Sequence, residues 1–183
     1  MNTCVYRISL IGLTLAIKFL RHIFSNLCSW QNVGCKGKQK MALVVTSLGK
    51  IKGKLSRSKL GRPYYSFKGI PYAQPPLGDL RFAKPQPKKP WKKTLDLSGK
   101  KESPMCLQVN VLSPESKFMI GQEDCLYLNV FTPQLPGAGV SVCLPVIIWI
   151  HGGGFCVGSN DSRMYGPDFF LEHGVILVTI NYR

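Results

Sequence analysis

Three consecutive glycines after an apolar run have the residue types and spacing that could do chemistry. Gly152, Gly153 and Gly154 come directly after the run 145–150 and His151. Because glycine has no Cβ, the backbone there can approach a ligand closely and aim its N–H groups into a site. Such groups could cradle a phosphate or hold the oxyanion of a reacting carbonyl. A plain turn is the third possibility.

The spacing of these glycines separates the possibilities. A Walker-type phosphate loop needs Gly-Lys-Ser or Gly-Lys-Thr, and no such triplet follows. A dinucleotide loop needs G-x-G-x-x-G opening a helix, and the glycines of 152–158 do not have that spacing. His-Gly-Gly-Gly after a strand is an arrangement that lipases and esterases use to hold an oxyanion. The sequence therefore favours an oxyanion hole.

The elements that position this loop follow from apolar patterns and turn residues. We predict short strands at 42–47, 50–55, 64–68 and 126–131. The uninterrupted apolar runs 145–150 and 175–180 predict strands covered on both faces. Pro167 suits the first turn of a short helix over 167–172, which Gly174 ends. Strand, loop, helix and strand give the βαβ pattern of a mostly parallel sheet.

Three features complete this outline of the chain. The segment 70–78 contains three prolines and predicts an irregular loop, and 84–104 predicts a Lys/Pro-rich surface connection around Trp91. The strand predicted at 175–180 needs neighbours and covering helices, and only three residues follow it. At a sheet edge it would be an apolar template for aggregation. We therefore expect an incomplete domain.

Four segments, in order along the chain, resemble type-B carboxylesterases. They are the N-terminal signature at 67–82, the second signature at 123–130, the oxyanion loop at 146–158 and the strand end at 178–183. The resemblance covers about residues 43–183. It implies an α/β fold, namely the N-terminal portion of an α/β-hydrolase sheet. In that sheet antiparallel N-terminal strands lead into a mostly parallel part, here within a domain over 41–183.

The resemblance also implies roles for the glycine loop. Gly153 and Gly154 would donate two backbone N–H groups to the developing oxyanion. Removing one such donor costs about 2.7–4 kcal/mol of transition-state stabilisation. Gly152 and His151 would shape the loop without acid–base chemistry.

Two further pairs of residues match structural features of the family. Cys106 and Cys125 correspond to its first disulfide, which the chain-entropy model values at about 3 kcal/mol for a loop of this size. Arg81 and Glu123 correspond to a buried salt bridge that fixes the N-terminal strands against the sheet. Neither pair is expected to act in catalysis.

The departures from the family pattern bear on activity and substrate. G-x-S-x-G, which carries the family's nucleophile, does not occur in the 183 residues, and neither the acid nor the catalytic His is matched. Without them no acyl-enzyme can form, so we expect this chain alone to be inactive. We interpret it as the N-terminal fragment of a serine carboxylesterase acting on uncharged carboxylic esters. Phe118 is the only aromatic residue between Cys106 and Cys125, where cholinesterases carry a Trp, which disfavours choline esters.

Other functional classes stay open. Cholinesterase-like adhesion proteins share the fold and lack the catalytic serine, although the intact glycine loop argues against them. An inactive truncated product is the second alternative. The net charge of +15 raises a third, a binder of polyanions or acidic membranes. However, the lysines are scattered without interleaved aromatics, so we predict a solvated basic surface, a small-molecule ester partner and no nucleic acid.

The first forty residues form a possible leader. The apolar run 8–17 is flanked by Arg7 and Lys18, and its length suits a signal h-region but not a membrane span. A signal or anchor in residues 1–30 would make the protein secreted or endomembrane and would be its only membrane contact. A poorly ordered leader, with Met41 as the true start, would make it cytoplasmic.

The remaining cysteines and the acceptor sequence for glycosylation complete the predictions. Cys143 and Cys156 have no evident partners and are expected to be buried as small apolar residues. Asn160, Asp161 and Ser162 form an N-glycosylation sequon close to the glycine loop, where use is not expected. The Cys and His spacing implies no metal, and no cofactor is expected.

Overall fold

The computed structural model describes residues 41–110, 118–135 and 144–183. The predictions for residues 1–40 and for Cys143 lie outside these ranges. No helix within them is long and apolar enough to cross a membrane.

The described residues contain a seven-stranded sheet and a small two-stranded sheet. The strands are β1 (Met41–Thr46), β2 (Gly49–Arg57), β3 (Pro63–Pro71), β4 (Leu95–Asp96), β5 (Gln108–Val109), β6 (Met119–Ile120), β7 (Tyr127–Thr132), β8 (Val146–Ile150) and β9 (Ile176–Ile180). The large sheet has the order β1-β2-β3-β7-β9-β8, with β4 beside β2, while β5 pairs with β6. The pairs β2/β4 and β8/β9 are parallel and the other pairs are antiparallel. All six predicted strands are therefore present.

Strand β3 is longer than predicted and takes in part of the expected loop at 70–78. Its pairing with β7 is interrupted between Phe67 and Ile70 and then resumes through Pro71. Gly69 has a φ of 76° at this irregularity, and its N–H donates to Asn129 Oδ1 at 2.9 Å. The register of the pairing shifts at this irregularity. Because Pro71 is the last residue of the strand, the proline does not prevent pairing.

The core lies against one face of the sheet. The helix α1 (Asp168–Glu172) contacts β9 and the turn between β2 and β3. The core consists largely of alternate residues of the strands, including Val44, Ile51, Phe67, Val130 and Val178. The helix begins after Pro167, buries Leu171 and ends before Gly174, which has a φ of 67°. The predicted helix is confirmed.

The two apolar strands at the end of the chain differ in exposure. Every residue of β9 is buried, as predicted, because it lies between β7 and β8. The prediction that the run 145–150 is covered on both faces is wrong for the described residues. Strand β8 is the edge of the sheet there, and Ile147 and Ile150 are 36% and 43% exposed. The apolar sheet edge is thus β8 and not the strand after it.

Candidate active site

The glycine loop leaves β8 in a backbone conformation that side chains rarely tolerate. Gly153, Gly154 and Phe155 have φ values of 126°, 60° and 61°. The carbonyl of Gly153 accepts hydrogen bonds from the N–H groups of Cys156 and Val157 at 3.0 and 3.1 Å. A Cβ on Gly153 would lie 1.9 Å from the carbonyl oxygen of Val157. Glycine is therefore required at 153 by both torsion and space.

Two N–H groups of this loop have no hydrogen-bond partner among the described residues. Gly152, Gly153 and Gly154 are all exposed. Among the hydrogen bonds of the described residues, none is donated by the N–H of Gly153 or Gly154. N–H groups that are not used within the protein, on a tightly turned backbone, are the donors that an oxyanion hole needs.

His151 is buried directly beneath the loop. Its side chain is 5% exposed, and its ring stacks on Tyr182 with 4.4 Å between ring centroids. Its Nδ1 lies 2.9 Å from the carbonyl oxygen of Gly152, so Nδ1 carries the hydrogen in this contact. The Tyr182 hydroxyl donates to the carbonyl of His151 at 2.6 Å. These contacts anchor the start of the loop to the residues that follow β9.

We expect the protein to lose stability on mild acidification because of His151. Burial lowers the pKa of His151 below its ordinary value of 6.5. The unfolded chain therefore binds more protons, and the stability that the neutral ring contributes is present above about pH 6.5 and lost as the pH falls towards the folded pKa. The free energy of unfolding, measured in urea, should fall from about pH 7.5 to about pH 5.5. His151→Gln should flatten this slope.

The matched control for this pH dependence is His173→Gln, since His173 is exposed at the end of α1. This variant controls for the loss of one histidine as such. The hydrogen bond from Arg163 is the main cause that lowers the pKa of Asp161. Its protonation therefore changes the free energy of unfolding only below about pH 4, outside the pH range in which His151 acts. A slope retained in His151→Gln would contradict the assignment.

An open cleft of about 470 Å³ adjoins the loop. Its lining includes Arg81, Phe82, Cys106, Leu107, Gln108, Glu123, Cys125, His151, Phe155, Cys156, Val157, Gly158 and Tyr182. The C-terminal half of the glycine loop therefore faces the cleft, whereas Gly153 and Gly154 are not part of its lining. The cleft brings most of the other predicted site residues together.

The predicted disulfide is present, and the predicted salt bridge is present but not buried. Cys106 and Cys125 are bonded, with their Cα atoms 4.9 Å apart. Arg81 Nε lies 2.6 Å from Glu123 Oε1, but the two side chains are 51% and 32% exposed. The expectation of a buried pair is wrong because both side chains lie at the rim of the open cleft. An ion pair this exposed is worth about 0–1 kcal/mol.

Cys156 also departs from its prediction. It is a free cysteine, as expected, but it is exposed and not buried. The loop turns back on itself after Gly153 and holds residue 156 away from the core. Among the described residues no group of three or more His, Cys, Asp or Glu side chains could hold a metal ion.

A network of buried asparagines behind the loop was not predicted. Asn129, Asn160 and Asn181 are at most 1% exposed. Asn129 Nδ2 donates to the carbonyl of Asn160 at 2.8 Å and to Thr179 Oγ1 at 3.1 Å. Asn181 Oδ1 accepts the N–H of Asn160 at 2.7 Å. The network ties the segment after the glycine loop to β7 and β9. The signal for it was Asn129 within one apolar strand run and Asn181 directly after another.

The sequon at Asn160 lies inside this network. Asn160 Nδ2 donates to the carbonyl of Tyr127 at 3.2 Å, and Ser103 Oγ donates to Asn160 Oδ1 at 2.7 Å. The side chain is 1% exposed. The folded protein gives no access to the nitrogen that a glycan would modify.

Comparison with known proteins agrees with this fold. The model of the carboxylesterase family matches residues 40–183. Juvenile hormone esterase of Tribolium castaneum is 42% identical over 170 residues, which cover 91% of this chain and 28% of that protein. Para-nitrobenzyl esterase of Bacillus subtilis is 38% identical over 144 residues, covering 77% of this chain and 27% of that protein.

Solved structures give the same result. The crystal structure of juvenile hormone esterase from Manduca sexta, with OTFP covalently attached, has a TM-score of 0.67 and 41% identity over 78% of this chain and 26% of that chain. The sheet described above is thus part of an α/β-hydrolase fold, as predicted. The chain belongs to the carboxylesterase family. It spans about a quarter of the length of the relatives it matches.

Proposed function

We propose that this chain supplies the oxyanion-hole loop of a serine hydrolase that cleaves carboxylic esters. The observation that carries the proposal is that Gly153 and Gly154 are exposed and that no hydrogen bond of the described residues uses their N–H groups. Membership of the carboxylesterase family supports the class of reaction. Gly152 and His151 hold the loop, and residues outside the 183 provide the serine, the acid and the base.

In the proposed reaction the serine oxygen attacks the ester carbonyl while a histidine removes the hydroxyl proton. The carbonyl oxygen gains negative charge as the tetrahedral intermediate forms. The N–H groups of Gly153 and Gly154 donate to that oxygen and stabilise the charge. The same histidine then returns the proton to the leaving alcohol, and water releases the acid from the acyl-enzyme.

The cleft favours an uncharged ester as the substrate. Phe155 and Val157 give it apolar walls next to the loop, with Leu107 from the disulfide-closed segment. Of the charged residues in the lining, Arg81 and Glu123 pair with each other at 2.6 Å. The guanidinium of Arg183, the third, donates to the backbone carbonyls of Leu80 and Ala83. This composition fits the neutral acyl and alcohol groups of simple carboxylic esters.

The test begins with the complete reading frame. If it continues beyond the codon for Arg183, we expect a G-x-S-x-G segment, and the full product should hydrolyse p-nitrophenyl acetate. The 183-residue chain alone should give no hydrolysis above buffer. A complete product that carries this segment and yet fails to hydrolyse any of a panel of p-nitrophenyl esters would contradict the proposal.

A chimera provides an independent test. Residues 41–183 replace the matching segment of Bacillus subtilis para-nitrobenzyl esterase, to which they are 38% identical, so that the host supplies the remaining residues. We expect activity on p-nitrophenyl acetate that falls when Gly153 is replaced by alanine. A folded, active chimera that is indifferent to Gly153→Ala would show that this loop does not hold the oxyanion.

A further inference from the structure

The side chain of Gln108 holds the far end of the glycine loop with two parallel hydrogen bonds. The N–H of Gly158 donates to Gln108 Oε1 at 2.7 Å, and Gln108 Nε2 donates to the carbonyl of Gly158 at 2.9 Å. The second hydrogen of Nε2 goes to the carbonyl of Cys106 at 2.8 Å. The side chain is 8% exposed. An amide at this position thus satisfies one backbone donor and two backbone acceptors.

Gly158 cannot move without disturbing the residue at the start of the loop. Its φ is 121°, and a Cβ at this position would lie 2.3 Å from His151 Nδ1. The backbone of Gly158 is therefore in close contact with the His151 ring, which is itself stacked on Tyr182. Gln108 holds Gly158, at the end of the loop, in contact with His151 at its beginning. The residues between them therefore form a closed turn with both ends fixed.

We propose that Gln108 is a positioning residue for ester hydrolysis, which sets the place of the Gly153 and Gly154 N–H groups by fixing Gly158. This inference rests on the proposed function. Gln108 acts through the backbone and does not itself touch the reacting atoms. It stands two residues after Cys106, so the disulfide to Cys125 fixes the segment from which it reaches the loop.

The chemistry of the contact requires an amide. A glutamate would keep the acceptor for the Gly158 N–H but would place a second oxygen where Nε2 now donates to two carbonyls. Two oxygen atoms at hydrogen-bond distance without a hydrogen repel each other. A methionine has nearly the same length and fills the same space without any of the three hydrogen bonds. Gln108→Glu and Gln108→Met therefore separate hydrogen bonding from packing.

The experiment compares both variants with the unsubstituted protein expressed from its complete reading frame. For p-nitrophenyl acetate we expect kcat to fall about 10- to 100-fold, because small displacements of catalytic groups have effects of this size. KM should change less than about 2-fold, since the loss is confined to the transition state. Backbone hydrogen exchange in residues 152–158 should become faster in both variants and stay unchanged in β1 and β2.

The control is Gln122→Met. Gln122 lies on the same disulfide-closed segment and is exposed, and its side chain donates to the carbonyl of Asp124 at 2.9 Å. It should leave kcat and exchange unchanged. Unchanged exchange in 152–158 together with unchanged kcat in both Gln108 variants would overturn the inference. An inactive unsubstituted protein would instead count against the proposed function, and the exchange rates would still decide whether Gln108 fixes the loop.

Discussion

Replacing Gly153 by alanine is expected to lower kcat for p-nitrophenyl acetate by about 10²- to 10³-fold, the usual effect of losing one oxyanion donor. The added methyl group would lie 1.9 Å from the carbonyl oxygen of Val157, and a φ of 126° is strained for alanine. The turn that Gly153 makes with Cys156 and Val157 must therefore open and carry its N–H away. Steady-state kinetics on the complete protein measures the effect.

Two other glycines calibrate this result. Gly154→Ala should lower kcat less than Gly153→Ala. The φ of 60° lies in the left-handed region, which costs alanine about 1–2 kcal/mol, and no heavy atom is within 4 Å of the new Cβ. Gly99→Ala, with open space and no positive φ, should have no effect on kcat. If Gly153→Ala retained full kcat with a native circular dichroism spectrum, its N–H would not be an oxyanion donor.

Replacing Asn129 by leucine is expected to lower the free energy of unfolding by about 3 to 5 kcal/mol. Asn129 is fully buried, and three groups lose a hydrogen bond with it: the N–H of Gly69, the carbonyl of Asn160 and the hydroxyl of Thr179. An unsatisfied buried donor costs about 1–3 kcal/mol, and the Gly69 N–H has no access to water to replace its partner. Urea unfolding monitored by circular dichroism measures the change.

Gln86→Leu is the comparison for Asn129. Gln86 is exposed and donates to the carbonyl of Lys84 at 3.2 Å, so its removal should change the free energy of unfolding by less than about 0.5 kcal/mol. Equal, small effects for both variants would mean that the buried network does not hold β3 and β7 together. An Asn129 variant that loses stability while Gln86→Leu does not would support the hydrogen-bond account.

Local signals in the sequence were sufficient to predict the strands, the helix and the position of the glycine loop. Continuous apolar runs predicted β8 and β9, and Pro167 and Gly174 predicted the limits of α1. Both kinds of signal depend on residues close in sequence, which is why they succeed. The disulfide and the family were predicted from four ordered segments, and the spacing of the glycines excluded phosphate loops.

Properties that depend on distant neighbours could not be predicted. An apolar run does not say whether a strand is central or at an edge, and β8 is exposed because it lies outside β9 in the sheet. The exposure of the Arg81–Glu123 pair depends likewise on the open cleft around it. The contacts of Gln108 and Asn129 join positions 50 and 31 residues apart, so no local pattern contains them.

Because Asn160 is buried in the folded protein, N-glycosylation of this residue would have to occur before folding is complete. Two of its hydrogen-bond partners, Thr179 and Asn181, lie about twenty residues later in the sequence and are synthesised after it. In a compartment with glycan transfer, the sequon would be open until β9 joins the sheet and closed from then on. A glycan attached in that interval would prevent the contacts of Asn160 with Tyr127 and Ser103. Occupancy at this asparagine would therefore mark molecules that missed the native fold, and its level would report how fast the sheet closes.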